Sequence, residues 1–277
     1  MRWTGRRESS NVEDRRGISG GGIAVGGIGA VIIAIIYFVL GGNPSEVLQQ
    51  MPATEQQSVT RSPEEERLAS FTKVVLAETE DVWDSLFNAK GGNYRKPTLV
   101  MFSRSTESGC GFASAITGPF YCPPDEKIYI DLSFFDELRE RFKVEGEFAM
   151  AYVIAHEVGH HIQKLTGVSD QMQQLRAQLS EKEYNRMSVK LELQADFYAG
   201  LWAHHAQKLS NILEQGDIAS ALAAANAIGD DRLQKMSRGE VVPDAFTHGT
   251  SAQRMYWFKK GFDTGDINAG DTFSAKE

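Results

Sequence analysis

The chain has 277 residues, 42% of them hydrophobic and 24% charged, with a mean hydropathy of −0.32. These values exclude a collagen-like, disordered or multi-span membrane protein and leave one or two globular domains with a full core. Two cysteines are too few for a disulfide-dense scaffold or a four-cysteine zinc site, and a net charge of −8 argues against a nucleic-acid partner, which needs a basic face.

Charge and hydropathy are unevenly distributed. No charged residue occurs from Gly17 to Gly42, and Ile23–Leu40 is almost wholly apolar. As a helix these 26 positions would extend about 39 Å, enough for a hydrocarbon core of about 30 Å. A cleaved signal peptide competes with this reading, but its apolar region is only about 7–15 residues long, and no A-x-A site follows before Pro44. Residues 18–42 are therefore expected to form a single transmembrane anchor in the lipid bilayer, with 1–17 a basic tail, 43–61 a polar linker and 62–277 the folded domain. Arg2, Arg6, Arg7, Arg15 and Arg16 precede the apolar run, and residues 41–60 contain no Lys or Arg. The positive-inside rule then predicts a cytoplasmic N-terminus and an exported domain. Residues 1–42 carry these five arginines against Glu8, Glu13 and Asp14, a net +2, which leaves −10 of the total −8 for residues 43–277.

Within the domain, Ser62-Pro63-Glu64-Glu65-Glu66 opens a helix: a serine cap, proline in the first turn and acids at the positive end of the dipole. Apolar residues recur at helical spacing from Phe71 to Phe87, up to Gly91-Gly92. Thr98–Phe102 and Lys127–Leu132 read as strands. Between them lie Cys110 and Cys122, which in an oxidising compartment form one intrachain disulfide worth about 3 kcal/mol; two unrelated reduced thiols are expected if the topology is inverted. Ser133–Phe142 predicts a short helix and Phe148–Leu165 a long apolar one. Ser180-x-x-Glu183 is a capping box opening a further helix to about Ala206. An alanine-rich helix over 217–228 and a last one over Ser251–Gly261 complete an α+β, helix-dominated domain with a small sheet.

The long apolar helix contains His156-Glu157-Val158-Gly159-His160. Four residues advance a helix by about 400°, so both imidazoles project from nearly one face, one turn apart. Two neutral histidines so placed can bind one Zn²⁺, with Glu157 beside them as general base for a water held in an open position. The extended H-E-x-x-H-x-x-G-x-x-H pattern is excluded by Gln163 and Thr166, and the inverted H-x-x-E-H motif is absent. A third ligand fits from Glu192-Leu193-Gln194-Ala195-Asp196. Glu192 could complete a His₂Glu set while Asp196 accepts the free ring N–H of a ligand histidine, and Asp196 as ligand is the rival assignment. Ala195 and Ala199 are small enough for this helix to approach the first closely. His161 should point away from the metal, and His204 and His205 read as surface residues. His248 and Arg254 flank the start of the last helix and are candidates to stabilise an oxyanion; a capped turn with Arg254 in a surface pair is the plainer alternative.

The segments H-E-V-G-H-H-I-Q (156–163), E-L-Q-A-D (192–196), G-P-F-Y-C-P-P-D (118–125), I-Y-I-D-L-S-F-F (128–135) and F-T-H-G-T-S-A-Q-R (246–254) together resemble the bacterial putative neutral zinc metallopeptidase family, the YpfJ-like proteins. The resemblance covers essentially the whole chain. It implies a zincin-like, gluzincin-type fold and a zinc-dependent peptidase of the inner membrane. Its catalytic domain would be periplasmic or extracellular and its substrate a peptide or protein. It also implies His156, His160 and Glu192 as ligands, Glu157 as catalytic residue and Asp196 as support. The H-x-x-x-x-x-R segment from His248 to Arg254 is similar to one in membrane-linked gluzincins, and Phe197 departs from the cysteine often found there. By analogy, the strand near Lys127–Leu132 is expected to pair with an extended substrate. A non-enzymatic tethered protein that keeps its zinc site, or hydrolysis of a non-peptide amide, are the rival expectations. A fourth protein ligand closing the metal site would favour the former.

Overall fold

The computed structural model describes residues 1–17, 61–114 and 118–275. The expected anchor at 18–42 lies outside them, and among the described residues no helix is long and apolar enough to cross a membrane. Helices dominate, and a small sheet packs at one side.

The first helix, α1 (Pro63–Ala89), starts where the cap and acids predict: Ser62 Oγ accepts from the Glu65 N–H at 3.1 Å. The sheet contains β1 (Val12–Asp14), β2 (Thr98–Phe102), β5 (Phe120–Cys122) and β6 (Lys127–Asp131), in the order β1-β2-β6-β5. A separate hairpin pairs β3 (Ser105–Ser108) with β4 (Gly111–Ser114). Strands β1, β2 and β6 run parallel, and β5 is antiparallel to β6. Leu99, Met101, Ile128 and Ile130 turn one face of the sheet into the main core, while Val100, Phe102, Tyr129 and Cys122 form a small cluster on the other. That two-sided burial is why T-L-V-M-F and K-I-Y-I-D read as continuous apolar strands rather than alternating ones.

Two expectations change here. Residues 1–17, set apart as a tail, belong to the same fold, because Val12–Asp14 completes the sheet edge beside Leu99–Met101. A three-residue strand carrying Glu and Asp has no apolar period to announce it. The strand Lys127–Asp131 is also not available to a substrate, since both its edges are paired, to β2 and to β5. The free edge on that side is β5. The disulfide Cys110–Cys122 is formed, with Cα atoms 5.8 Å apart, and ties the β3–β4 turn to the end of this edge strand.

Beyond the sheet come α2 (Ser133–Glu140), α3 (Glu147–Leu165), α4 (Val168–Arg176) and α5 (Glu181–Ser210). They are followed by α6 (Asp217–Ala227), α7 (Asp230–Arg238) and α8 (Ser251–Thr264). The Ser180–Glu183 capping box opens α5 as its sequence requires. Helix α8 is capped by Thr250 with Gln253, one residue before the predicted start. Helices α3, α5 and α8 are the heart of the molecule and they cross closely. A Cβ on Gly159 would lie 3.0 Å from the Ala195 Cα, so α3 and α5 touch backbone to backbone at the second motif histidine. Where α5 meets α8 the approach is closer still: a Cβ on Gly200 would lie 1.9 Å from the Phe258 carbonyl oxygen, and one on Gly261 2.1 Å from that of Phe197. His204 and His205 donate to the Phe262 and Gly265 carbonyls at the end of α8, at 2.7 and 3.0 Å, rather than standing free in solvent.

A methyl group at this crossing meets backbone, which cannot rotate away. Gly200→Ala is expected to cost about 3 kcal/mol by forced separation of α5 and α8, read as a lower midpoint in urea unfolding with an unchanged slope. A neutral substitution would mean the helices do not pack at this distance.

Candidate metal centre

Helix α3 is buried along most of its length, so His156 and Glu157 sit on a rigid element with only 6% and 7% exposure. One turn on, His160 stands with its ring centroid 4.8 Å from that of His156, edge to face. From α5, Glu192 reaches across with Oε2 3.2 Å from His156 Nε2 and Oε1 3.3 Å from His160 Nε2. One ligand atom from each of His156, His160 and Glu192 lies within 4.8 Å of the other two, and among the described residues this is the group able to hold a metal ion.

The outer nitrogens decide what these rings present. His156 Nδ1–H donates to Asp196 Oδ1 at 2.8 Å. His160 Nδ1–H donates to Gln163 Oε1 at 2.9 Å, and Gln163 is itself held by donating to the Leu191 carbonyl and to Gln194. With both Nδ1 atoms committed as donors, the neutral form of each ring directs its Nε2 lone pair toward the shared point, which is the tautomer a Zn²⁺ ligand needs. Two imidazole nitrogens and one carboxylate, with a cleft in front, fit zinc in a three-ligand set. Burial would favour a neutral His156 ring, but the carboxylates of Asp196 and Glu192 outweigh it and raise the pKa to about 10. Burial would likewise push Glu192 up, yet His160 and His156 hold it well below the usual carboxylate range. The two carboxylates thus favour positive charge on the groups they face, as they would on a bound cation.

Asp196 is fully buried and lies behind His156, outside the candidate ligand group. Besides His156, it accepts from the Tyr152 hydroxyl and from Arg254, whose Nε lies 2.8 Å from Oδ2 and whose Nη2 lies 3.0 Å from Oδ1. Arg254 Nη1 donates to the Ile228 carbonyl at 3.2 Å. All three guanidinium nitrogens therefore have partners inside the protein, and Arg254, 2% exposed, is not a surface partner although it borders the cleft.

His248 is placed differently. Its ring is half-exposed and lines the same cleft as Glu157 and the candidate ligand group. Nδ1 lies 3.1 Å from Asp230 Oδ1, while Asp230 Oδ2 accepts from the backbone N–H groups of Thr247, His248 and Gly249. Gly249, at φ +89°, supplies the left-handed turn that lets three successive N–H groups converge on one oxygen. Sequence reasoning missed the roles of Asp230 and Gln163: Asp230 lies in no chemical motif, with the helix start at Gly229-Asp230 its one available signal, and Gln163 ends the quoted H-E-V-G-H-H-I-Q segment without its amide's partners being readable from it. His161 points away from the ligand group, as expected, but is wholly buried. It receives a hydrogen bond from Tyr121 on β5 at 3.0 Å and donates to the Arg95 carbonyl at 2.6 Å.

The cleft in front of the site encloses about 970 Å³ and is walled by Phe120 and Tyr121 of β5, Phe134, Met172, Leu233 and His248. Loss of the Gln163 acceptor should free the His160 ring and its tautomer. Gln163→Leu is expected to weaken zinc binding about 10- to 100-fold, measured by competition with a chromogenic chelator; unchanged affinity would show that His160 orients itself.

The sequence profile described as putative neutral zinc metallopeptidase matches residues 1–273. The chain is 50% identical over 284 aligned positions to the uncharacterized protein YpfJ of Escherichia coli, covering 99% of each chain. It is 38% identical over 255 positions to the uncharacterized protein Rv2575 of Mycobacterium tuberculosis, covering 86% of this chain and 85% of the other. No solved structure gives a significant match. Full-length identity and a profile spanning both the metal centre and the N-terminal arm have one meaning: this chain belongs to the putative neutral zinc metallopeptidase family.

Proposed function

We propose that the protein is a zinc-dependent endopeptidase tethered to a lipid bilayer through residues 18–42. The reading is carried by one observation: His156 and His160 from α3 and Glu192 from α5 converge, and Glu157 lies beside them in a cleft that His248 also lines. Among the described residues no fourth His, Cys, Asp or Glu joins the group, which favours a catalytic site over a closed structural one.

Zn²⁺ held by this set supplies an acidified water and a polarised substrate carbonyl. The chain's own residues do the rest. Glu157 takes a proton from the attacking water and delivers it to the leaving amine, helped by its fixed place on α3. His248, held by Asp230, faces the carbonyl oxygen and stabilises the negative charge that develops there. The free edge of β5 lies along the cleft wall, so an extended peptide can add to it as a strand, with Phe120, Phe134 and Met172 offering apolar contact to its side chains. Arg254 and Tyr152 act through Asp196, holding His156 in register rather than touching substrate.

Glu157→Gln is expected to retain zinc and to lose proteolysis of a general protein substrate by at least about 10²-fold. Full activity in that variant would overturn the mechanism, and loss of zinc together with activity would move Glu157 into the binding role.

The hydrogen bond that His248 donates to Asp230 raises the His248 pKa above the ordinary imidazole value, against the opposing effect of burial. The charged ring therefore persists to higher pH than a free histidine would, and its contribution is lost as pH rises through the raised pKa. In Asp230→Asn the alkaline limb of the kcat/KM profile should move to lower pH while the zinc content stays constant. An unmoved limb would remove the His248–Asp230 pair from catalysis.

A further inference from the structure

We infer that the N-terminal arm, residues 1–17, lies on the same side of the membrane as the domain bearing the metal centre. This rests on the bilayer contact proposed above and is independent of whether the domain is a peptidase.

The arm is built into the fold by groups that have no other use. Glu80 on α1 has a side chain only 1% exposed, and its close partners all come from the arm: Arg7 Nη1 at 3.1 Å, Ser9 Oγ at 2.5 Å and Asn11 Nδ2 at 2.7 Å. Lys96 stands further off, at 3.9 Å. Arg6 pairs with the nearly buried Glu78 at 3.0 Å, and Glu13 with Lys127 of β6 at 2.5 Å. Arg16, itself 1% exposed, pairs with Asp14 at 2.7 Å and Glu66 at 3.1 Å and donates to the Glu65 carbonyl. Backbone pairing runs alongside, from the Leu99 N–H to the Asn11 carbonyl at 2.9 Å and from the Arg15 N–H to the Met101 carbonyl at 2.8 Å.

An arm on the far side of a hydrocarbon core about 30 Å thick could make none of these contacts. It would leave the buried Glu80 carboxylate on α1 with only Lys96, at 3.9 Å, as a cation and would open the parallel edge of β2. The two points where the chain leaves the described fold also adjoin. Arg61 Nη1 lies 3.0 Å from Asp14 Oδ2, and Arg61 Nη2 donates to the Arg16 carbonyl at 3.0 Å. The described chain at Gly17 and at Arg61 therefore lies at one corner of the molecule.

The charge bias that pointed to a cytoplasmic tail has another explanation. Of the five arginines before the apolar run, Arg6, Arg7, Arg15 and Arg16 are ion-paired within the fold. Their number reflects the acids of α1 and β1 that they neutralise, rather than a sorting signal on a free tail.

The test is site-directed labelling of the full-length chain in a bacterial host. Ser10→Cys on the exposed outer side of the arm and Asp263→Cys on α8 are each made in a Cys110→Ser/Cys122→Ser background. Intact spheroplasts and lysed cells are then treated with a membrane-impermeant maleimide. The expected result is that both positions label, or both are protected, in spheroplasts, and that both label after lysis; which of the two occurs identifies the compartment. Labelling of one position with protection of the other overturns the inference. Because removal of the disulfide can weaken the fold, a second measurement uses the full chain with its cysteines intact, purified in detergent. Arg16→Ala should lower the thermal midpoint by several degrees, whereas an unchanged midpoint would mean the arm is not docked and would equally overturn it.

Discussion

A buried carboxylate sets the terms on which this fold closes. Asp196 is shielded from water on α5, and such a charge is tolerated only where partners surround it. Its partners come from two other helices: Tyr152 and His156 on α3, and Arg254 on α8. Burial alone would push this carboxyl up, but Arg254 and His156 outweigh it and hold it below the ordinary range, so the ionised form is the one the three helices are built around. The glycines at the crossings follow from this. Short polar reaches between helix axes require close axes, and Gly159, Gly200 and Gly261 remove the side chains that would keep them apart. The metal centre is thus a by-product of a packing solution as much as a set of ligands, since the contact that orients His156 also joins α3, α5 and α8.

The N-terminal arm solves a second charge problem by the same means. Helix α1 carries Glu78 and Glu80 in a turn that is covered all round, and only cations brought from elsewhere make that covering tolerable. Arg6 and Arg7 meet that need, while Val12–Asp14 closes the sheet edge next to them. The arm also touches the metal helix directly, through the Trp3 indole donating to Glu147 at the first residue of α3. Sequence order therefore misleads about domain structure: the first residues of the chain stand between α1 and the sheet, and a boundary drawn at residue 62 cuts through the fold.

What was legible in the sequence divides along a physical line. The spacing of His156, Glu157 and His160 is legible because helix geometry alone puts them on one face. Glu192 and Asp196 are legible because i and i+4 share a face and the chemistry needs one ligand and one orienting acceptor. Long periodic helices and the strands Thr98–Phe102 and Lys127–Asp131 appear close to their predicted ends for the same local reasons. What was not legible depends on tertiary neighbours. Arg254 reads as a surface or oxyanion residue until Asp196 is seen to take its guanidinium. Gln163 reads as an ordinary helix residue until its amide is found between His160 and Leu191. Strand β5 is three residues long in a segment rich in Gly and Pro, so only pairing with β6 reveals it.

That missed strand matters most to how the cleft is assembled. An edge strand that receives a peptide must keep its distance from the reacting groups fixed, and three residues of β-structure cannot do this alone. Here β5 is held at both ends and from below. Cys122 at its end is bonded to Cys110, which anchors the β3–β4 turn to it. Tyr121 at its centre donates to His161, the residue that follows the second ligand on α3. Phe120 stacks on Tyr129 of the neighbouring strand, with ring centroids 5.0 Å apart. The doubled histidine of the motif therefore has two different uses one step apart on the helix: His160 faces the metal position, and His161, about 100° round, grips the wall of the cleft. Burial lowers the pKa of His161, which favours the neutral ring that accepts from the Tyr121 hydroxyl. The strand that would align a substrate is in this way registered against the very helix that carries the ligands, and any shift of one carries the other with it.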